Sequence, residues 1–507
     1  MRLRPRDPAP QDLPAWRSGS RRFREKSIDF LRPLRLDDEV SHSMAKRGAL
    51  STAGVLAQSV TRFVTNVVIG RIGGPLVLGS VASGIATGQL LALLGPASAG
   101  SAASKFIARA RGKGSATEAA AVARHLRIRA TQTTVVLAVL AVPIWIYVDK
   151  GESSGAAAIA ALVLGYSGYS FTRGVQYGAG LVARATAWDL LTSALGMLGV
   201  VVALLLGVRG IYVVVPLAAA YGVYTLAGWP WHTRGVIEEK LRREIDLFIL
   251  LGVAGTVSSA GFMQSSVILA RISGGSGGAG QYAAALVLAT PASLLAMSLS
   301  LVLFPSMSEA WGRRDIAAFK TQTDRASRAL VVAMTGVLGV LAICSPAIVR
   351  IVWGREFEDA SRILPILLLA VLANTVSVAC TNALTTRSTR GVATSTVSSV
   401  AGMLIGIVSW VVFVPRFGAE GVALGYLLGA LVIAVVPIVI VTRRDGHKWT
   451  GLWIRLLAGL TVLLVILVVD RRFVASRWME LPEAVVFVAG WLLLVRRDLL
   501  IALNRRR

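Results

Sequence analysis

The chain has 507 residues, 55% hydrophobic and 16% charged, with 53 Lys and Arg against 27 Asp and Glu and a formal net charge of +26. Soluble proteins run at roughly 45–50% apolar and 25% charged, so this composition argues against a soluble domain. The basic residues are dispersed among apolar spans, which speaks for orientation in a bilayer and contact with anionic lipid, not for a nucleic-acid partner. Apolar runs of about 20 residues recur, each long enough to cross roughly 30 Å of hydrocarbon as a helix. The 50 glycines suit helices packed closely in lipid. Two cysteines, Cys344 and Cys380, lie inside apolar runs and argue against a disulfide framework or a zinc site.

Residues 1–46 carry RLRPRDPAP and RRFREK and read as a basic, disordered cytoplasmic arm. No apolar h-region follows the charged start, so no signal peptide is expected. Spans follow at about 49–70, 75–98, 130–148, 156–177, 185–207 and 211–230, forming a first six-helix lobe over residues 47–231. Residues 232–247, with RGVIEEKLRREID, read as an amphipathic linker helix. A second lobe, 248–444, has spans at about 248–270, 282–305, 329–352, 363–385, 391–414 and 420–441. Residues 445–507 hold two extra spans, about 452–469 and 481–495, and a basic tail. The fold class is therefore an all-α integral membrane protein of fourteen helices, arranged as six, six and two.

Duplication supports the two lobes. Val67 to Gly74 reads VVIGRIGG, and 200 positions later Val267 to Gly274 reads VILARISG. Arg184, Ala187, Ser193 and Gly196-Met197-Leu198 recur as Arg390, Ala393, Ser399 and Gly402-Met403-Leu404 at an offset of 206. Loop charge then orients the bundle. Lys105, Arg109, Arg111, Lys113, Arg124, Arg127 and Arg129 lie between spans two and three, and Arg313, Arg314, Lys320, Arg325 and Arg328 between eight and nine. The intervening loops are mostly poorer in positive charge, which puts both termini in the cytoplasm; the plasma (inner) membrane is the expected location.

Signatures of catalysis are scarce. There is no GxxxxGK[ST], and SGGSGGAG from Ser273 lacks the lysine a phosphate loop needs. His42, His125, His232 and His447 lie in separate loops or tails without metal spacing, so no metal or cofactor is expected. Glu356, Glu358 and Asp359 could serve a membrane glycosyltransferase, but acidic residues ahead of a helix also suit its N-terminal dipole.

Arg62 is the most informative residue. It lies nine positions before Arg71, about 13 Å along the helix, too deep to snorkel easily to the outer interface. Gln58, Arg62 and Asn66 recur every four residues and make one helix face polar. Span seven offers Ser258, Gln264, Ser265 and Ser266 at the matching face but no charge. Tyr166, Tyr169, Ser170, Arg173 and Tyr177 follow helical spacing in span four, as do Asn374, Ser377, Thr381 and Thr385 in span ten. Such faces suit sugar hydroxyls and also bond helices to each other. Asp189 could balance Arg173 or Arg184, or take up a coupling proton.

Several stretches resemble the polysaccharide (O-antigen and related) flippases of the multidrug/oligosaccharidyl-lipid/polysaccharide exporter superfamily. They are NVVIGRIGG, VLGSVASG, SAASKFIARARGKG, FPSMSEAWGRRD, VWGREFEDASRILPIL and VPRFGAEGVALGYLLGA, and the resemblance runs from about Lys46 to Arg444. It implies two lobes around a central cavity with alternating access and no catalysis. The resulting expectation is a flippase for a polyprenyl-diphosphate-linked oligosaccharide used in cell-surface polysaccharide synthesis. Arg62, Gln58, Asn66, Arg173, Arg184, Tyr166, Tyr169 and Asn374 are its candidate substrate-binding residues. Membrane lipids and glycan synthesis or polymerisation proteins are candidate partners. A lipid II flippase stays open as an alternative, although the second first-helix arginine usual there falls near Thr65-Asn66. So do a multidrug/cation antiporter and, from another class, a glycosyltransferase or polymerase.

Overall fold

The computed structural model describes residues 44–473 and 480–503. The predicted basic arm up to residue 43 and the tail from residue 504 lie outside them. In chain order the α-helices are α1 Met44–Leu93, α2 Pro96–Gly112, α3 Ala116–Val148, α4 Ala156–Gly178, α5 Val182–Leu205, α6 Val215–Gly228 and α7 Glu239–Thr256. They continue as α8 Phe262–Gly312, α9 Ile316–Ile343, α10 Ser345–Val352, α11 Ala360–Arg387, α12 Thr389–Asp445, α13 Thr450–Phe473 and α14 Glu480–Leu503. Helices α1, α8 and α12 each turn back at one glycine, Gly74, Gly275 and Gly418, whose φ of 68°, 63° and 53° a side chain would resist. Split there, with the short breaks before α2, α8 and α10 joined, the described residues make fourteen spans as six, six and two.

The repeat has a structural meaning. VVIGRIGG and VILARISG are the helix ends that run into the tight turns joining spans one to two and seven to eight; the first ends on Gly74 and the second stops one residue before Gly275, the two glycines that leave the helix. A second pair of turns marks the opposite end. Gly114 and Arg314, 200 residues apart, both take positive φ (72° and 59°). Each precedes a helix cap: Ser115 Oγ accepts from Glu118 N (3.2 Å), and Asp315 Oδ1 accepts from Ala318 N (2.9 Å). The basic stretches around these caps are therefore helix ends joined by short turns, where the sequence suggested longer loops. The two ends are called the kink end and the basic end below.

The connection between lobes differs from expectation. It is helical only from Glu239, not from residue 232. Gly235 has φ 107°, and Arg127 and Arg124 hold the segment by its carbonyls: Arg127 donates to Pro230 and Trp231 (2.8 and 2.6 Å), Arg124 to Gly235 (3.0 Å). A φ of 107° at Gly235 lies outside the helical region and interrupts a helix there, and the α3 arginines satisfy carbonyls left without an i→i−4 partner. The C-terminal pair docks on the second lobe. Arg455 pairs with Asp498 (2.7 Å), Asp498 also meets Arg328, and Trp491 Nε1 donates to Val332 O (2.9 Å). Nearby, Arg387 grips both Asp445 oxygens (2.7 and 2.6 Å). Burial lowers the affinity of the His447 imidazole for a proton, and the ring stacks on Trp449 at 4.3 Å.

At the kink end the lobes clasp each other reciprocally. Arg71 of the first lobe donates to the carbonyls of Ile351 and Val352 at the C-terminus of α10, with Nε 2.6 Å from Val352 O. Its repeat mate Arg271 pairs with Asp149 at the C-terminus of α3 and reaches Ser80 Oγ (3.3 Å) and Ser276 Oγ. Between these arms the backbones touch. A Cβ on Gly79 would run into Ser276 O, and one on Gly280 into Pro75 O. Arg271 and Asp149 are 8% and 14% exposed, and stranding either partner of such a pair is costly. Asp149→Asn should therefore loosen this end. In purified protein with Cys344 and Cys380 changed to serine, a cysteine replacing Ser80 should react with a thiol reagent about tenfold faster when Asp149→Asn is present, the effect of roughly 1.4 kcal/mol. Unchanged reactivity would show that the clasp does not hold the end shut.

Candidate functional site

The polar face of span one divides between two environments. A step of four residues turns a helix by about 400°, so Gln58, Arg62 and Asn66 drift round the axis. Arg62 is exposed and, with Asn66, lines a cavity of about 190 Å³ between the lobes. Gln58 points into the first lobe, 7% exposed, and donates to Tyr169 OH at 2.9 Å. Asn66 Nδ2 donates to Arg62 O (2.9 Å) and leaves its amide oxygen to the cavity side.

Both lobes build the cavity. Gln89 enters from span two, Ser193 from α5, Tyr221 from α6 and Gln264 from α8. Gln264 Nε2 donates to Gln89 Oε1 (2.7 Å), a bond between amides that crosses from one lobe to the other. Among the described residues lining the cavity, Arg62 is the charged one. Tyr221, Tyr166 and Tyr169 surround its guanidinium. At the corresponding position of the second lobe stands Phe262, buried against Trp410 and Tyr426 with ring centroids 5.0 and 5.1 Å away. The cation is a feature of one lobe, as the sequence suggested.

The other candidates scatter. Tyr169 is buried, and Tyr166 packs on it (5.8 Å) and on Tyr221 (5.3 Å), so both stand behind the cavity wall. Arg173 Nε pairs with Asp189 Oδ2 at 3.0 Å, and its Nη2 donates to Tyr177 OH (3.2 Å). Its charge is met inside the lobe, which settles the partner of Asp189. Arg184 donates to Ala227 O (3.1 Å) at the basic end. Asn374 lies on α11 outside the cavity, its carbonyl accepting from Ser377 Oγ (2.8 Å). The structure thus brings Arg62 and Asn66 together and adds Tyr221, Gln89, Ser193 and Gln264. Tyr221 and Gln89 were passed over in sequence, although a lone amide in an apolar span is a signal.

Two further features bear on chemistry. Helices α11, α12 and α13 enclose an apolar groove of about 580 Å³, lined by Leu372, Val376, Leu431, Val435, Trp453 and Leu460 among others. Glu356, Glu358 and Asp359 are exposed at the kink end ahead of α11, where Gln281 accepts from Ala360 N (3.0 Å) and donates to Glu356 O (2.8 Å). Among the described residues no three His, Cys, Asp or Glu side chains group as metal ligands do.

Sequence and structure comparisons agree on the class. The profile of a family described as lipid II flippase MurJ matches residues 181–489. No curated protein matches the chain. A solved lipid II flippase MurJ in an inward closed conformation superposes with a TM-score of 0.64 at 13% identity, covering 89% of this chain and all of that one. An inward-facing multidrug resistance transporter of the MATE family gives 0.64 at 18% identity over 77% and 94% of the two chains. A MATE transporter in complex with MaD3S gives 0.53 at 17% over 79% and 95%.

Charge placement separates residues that hold the lobe from residues that serve the cavity. Asp189→Ala strands Arg173 inside the first lobe and should cost about 3 kcal/mol of stability. Arg62→Ala removes a cation that the cavity leaves exposed and should leave thermal unfolding, followed by tryptophan fluorescence, within about 1 °C of the parent, since surface-like changes cost under about 0.5 kcal/mol. A large drop in the Arg62 variant would make the arginine structural.

Proposed function

The chain belongs to the lipid II flippase family MurJ, and on that premise we propose that it moves the headgroup of a polyprenyl-diphosphate-linked glycan across the membrane. One observation carries this reading: a single guanidinium, Arg62, faces a cavity bounded by both lobes. A diphosphate brings two adjoining anionic groups, and a guanidinium fork meets such oxygens in pairs. Passing sugars through bare hydrocarbon would leave many hydroxyls unsatisfied at several kcal/mol each. A polar cavity removes that barrier without covalent chemistry, and the separate groove of α11, α12 and α13 offers the lipid chain an apolar surface.

The positive-inside rule assigns the basic end to the cytoplasm. With the kink end clasped, the headgroup enters from the cytoplasmic side, the lobes rock, and release follows when the clasp opens. The charge count favours a lipid-linked oligosaccharide for a surface polymer, because a peptide-bearing headgroup adds carboxylates to the two charges of the diphosphate while the cavity offers a single cation. The family description favours lipid II itself, and that is the second reading.

Depletion should leave the assembled lipid-linked oligosaccharide trapped on the cytoplasmic leaflet, scored by adding an impermeant glycan-modifying enzyme to intact cells and to opened vesicles. Arg62→Ala should reproduce the trap, with transport lowered about 30-fold, the effect of losing roughly 2 kcal/mol of charge-assisted bonding. Arg62→Lys should retain part of the rate. Lipid II trapped in its place would establish the second reading. A missing intermediate would mean a role in synthesis, and an unchanged intermediate with raised sensitivity to cationic compounds would mean drug export.

A further inference from the structure

We propose that Tyr221 is the platform on which the first sugar of the headgroup stacks, so that the cavity recognises a glycosylated diphosphate over a bare one. This rests on the diphosphate reading of Arg62. In a glycosyl diphosphate lipid the first sugar is bonded directly to the outer phosphate. A group that reads this sugar must therefore stand within one ring of the cation that holds the phosphate. Tyr221 lines the same cavity as Arg62 and is among the rings that surround its guanidinium.

Four tyrosines gather in the first lobe, and their surroundings assign different tasks. Tyr169 and Tyr224 are 4% and 0% exposed. The hydroxyl of Tyr169 accepts from Gln58 (2.9 Å), and that of Tyr224 donates to Gln176 Oε1 (2.9 Å). They are committed to the lobe interior, while Tyr166, half-buried and outside the cavity lining, is engaged with Arg62. Tyr221 is half-buried and lines the cavity. Tyr166 meets it edge to face (5.3 Å, 79°), and Tyr169 packs on it at 4.9 Å. A ring wedged in this way has little rotamer freedom left to lose when a ligand arrives.

The chemistry suits a pyranose. One face of such a ring presents C–H bonds with partial positive charge, which settle on the electron-rich face of a phenol. Its hydroxyl or acetamido groups need amide partners, and Gln89 and Gln264 stand on the same cavity wall system, already bonded to each other and able to exchange that bond. The second lobe cannot substitute, because Phe262, the repeat mate of Arg62, is enclosed by Trp410 and Tyr426.

The test uses the purified full chain in lipid nanodiscs and two probes, a polyprenyl diphosphate and the same lipid carrying one N-acetylhexosamine. The parent protein is expected to bind the glycosylated probe about fivefold more tightly, a typical yield of one aromatic contact. Tyr221→Phe should keep this preference. Tyr221→Leu should erase it while holding the bare diphosphate within about twofold of the parent, and Arg62→Ala should weaken both probes together. A preference intact in Tyr221→Leu overturns the assignment and leaves the diphosphate reading standing. Loss of both probes in Tyr221→Leu makes the ring structural and also overturns it. Arg62→Ala binding both probes as the parent does would remove the diphosphate reading itself.

Discussion

A guanidinium placed midway along a membrane span has to keep water or find oxygen, and much of the first lobe follows from that demand. Arg62 stands twelve residues before the turn at Gly74, about 18 Å along the helix, beyond easy reach of an interface. Charges at such depth persist where they face a bundle interior or a wet cavity. Here Arg62 lines the cavity between the lobes, with tyrosine rings and hydroxyls around it. The other arginine of the lobe interior obeys the same demand differently. Arg173 takes Asp189 as its partner, 3% exposed, and so adds no free charge to the site.

The duplicated halves keep their frame and change their contents. Turns, caps and clasping arginines recur at offsets near 200, because they set span length and the contact between lobes. The cavity positions diverge: Arg62 against Phe262 and Gln58 against Ser258. The scaffold pairs two similar bodies, while the charge that lines the cavity comes from one of them.

The fold was legible because hydrophobic run length and loop charge are local properties that a bilayer enforces along the whole chain. The fourteen spans followed from those alone. The site was legible only where a residue violated its surroundings, as Arg62 does. Tyr166, Tyr169 and Arg173 had the right spacing, but spacing cannot tell the face turned to the cavity from the face turned to a neighbouring helix. Tyr221 broke no rule, since tyrosine is common near apolar spans, and its importance comes from contacts with helices distant in sequence. Asn374 lies on a polar stripe too, yet its span borders the apolar groove and not the cavity. The linker was misjudged for a similar reason: amphipathic spacing from residue 232 spoke for a helix, and the left-handed backbone at Gly235, on a segment held by two arginines of α3, interrupts it.

The seal at the kink end is made of main chain. Gly79 lies on the Ser276 carbonyl and Gly280 on that of Pro75, with no side chain between them. Contacts of this kind have two consequences for a protein that sits across an energised membrane. Backbone pressed on backbone leaves no room for water between the helices at these two points. The two backbone contacts have no rotamers to reorder when they re-form, so the side-chain ordering at this end falls to the Arg71 and Arg271 arms.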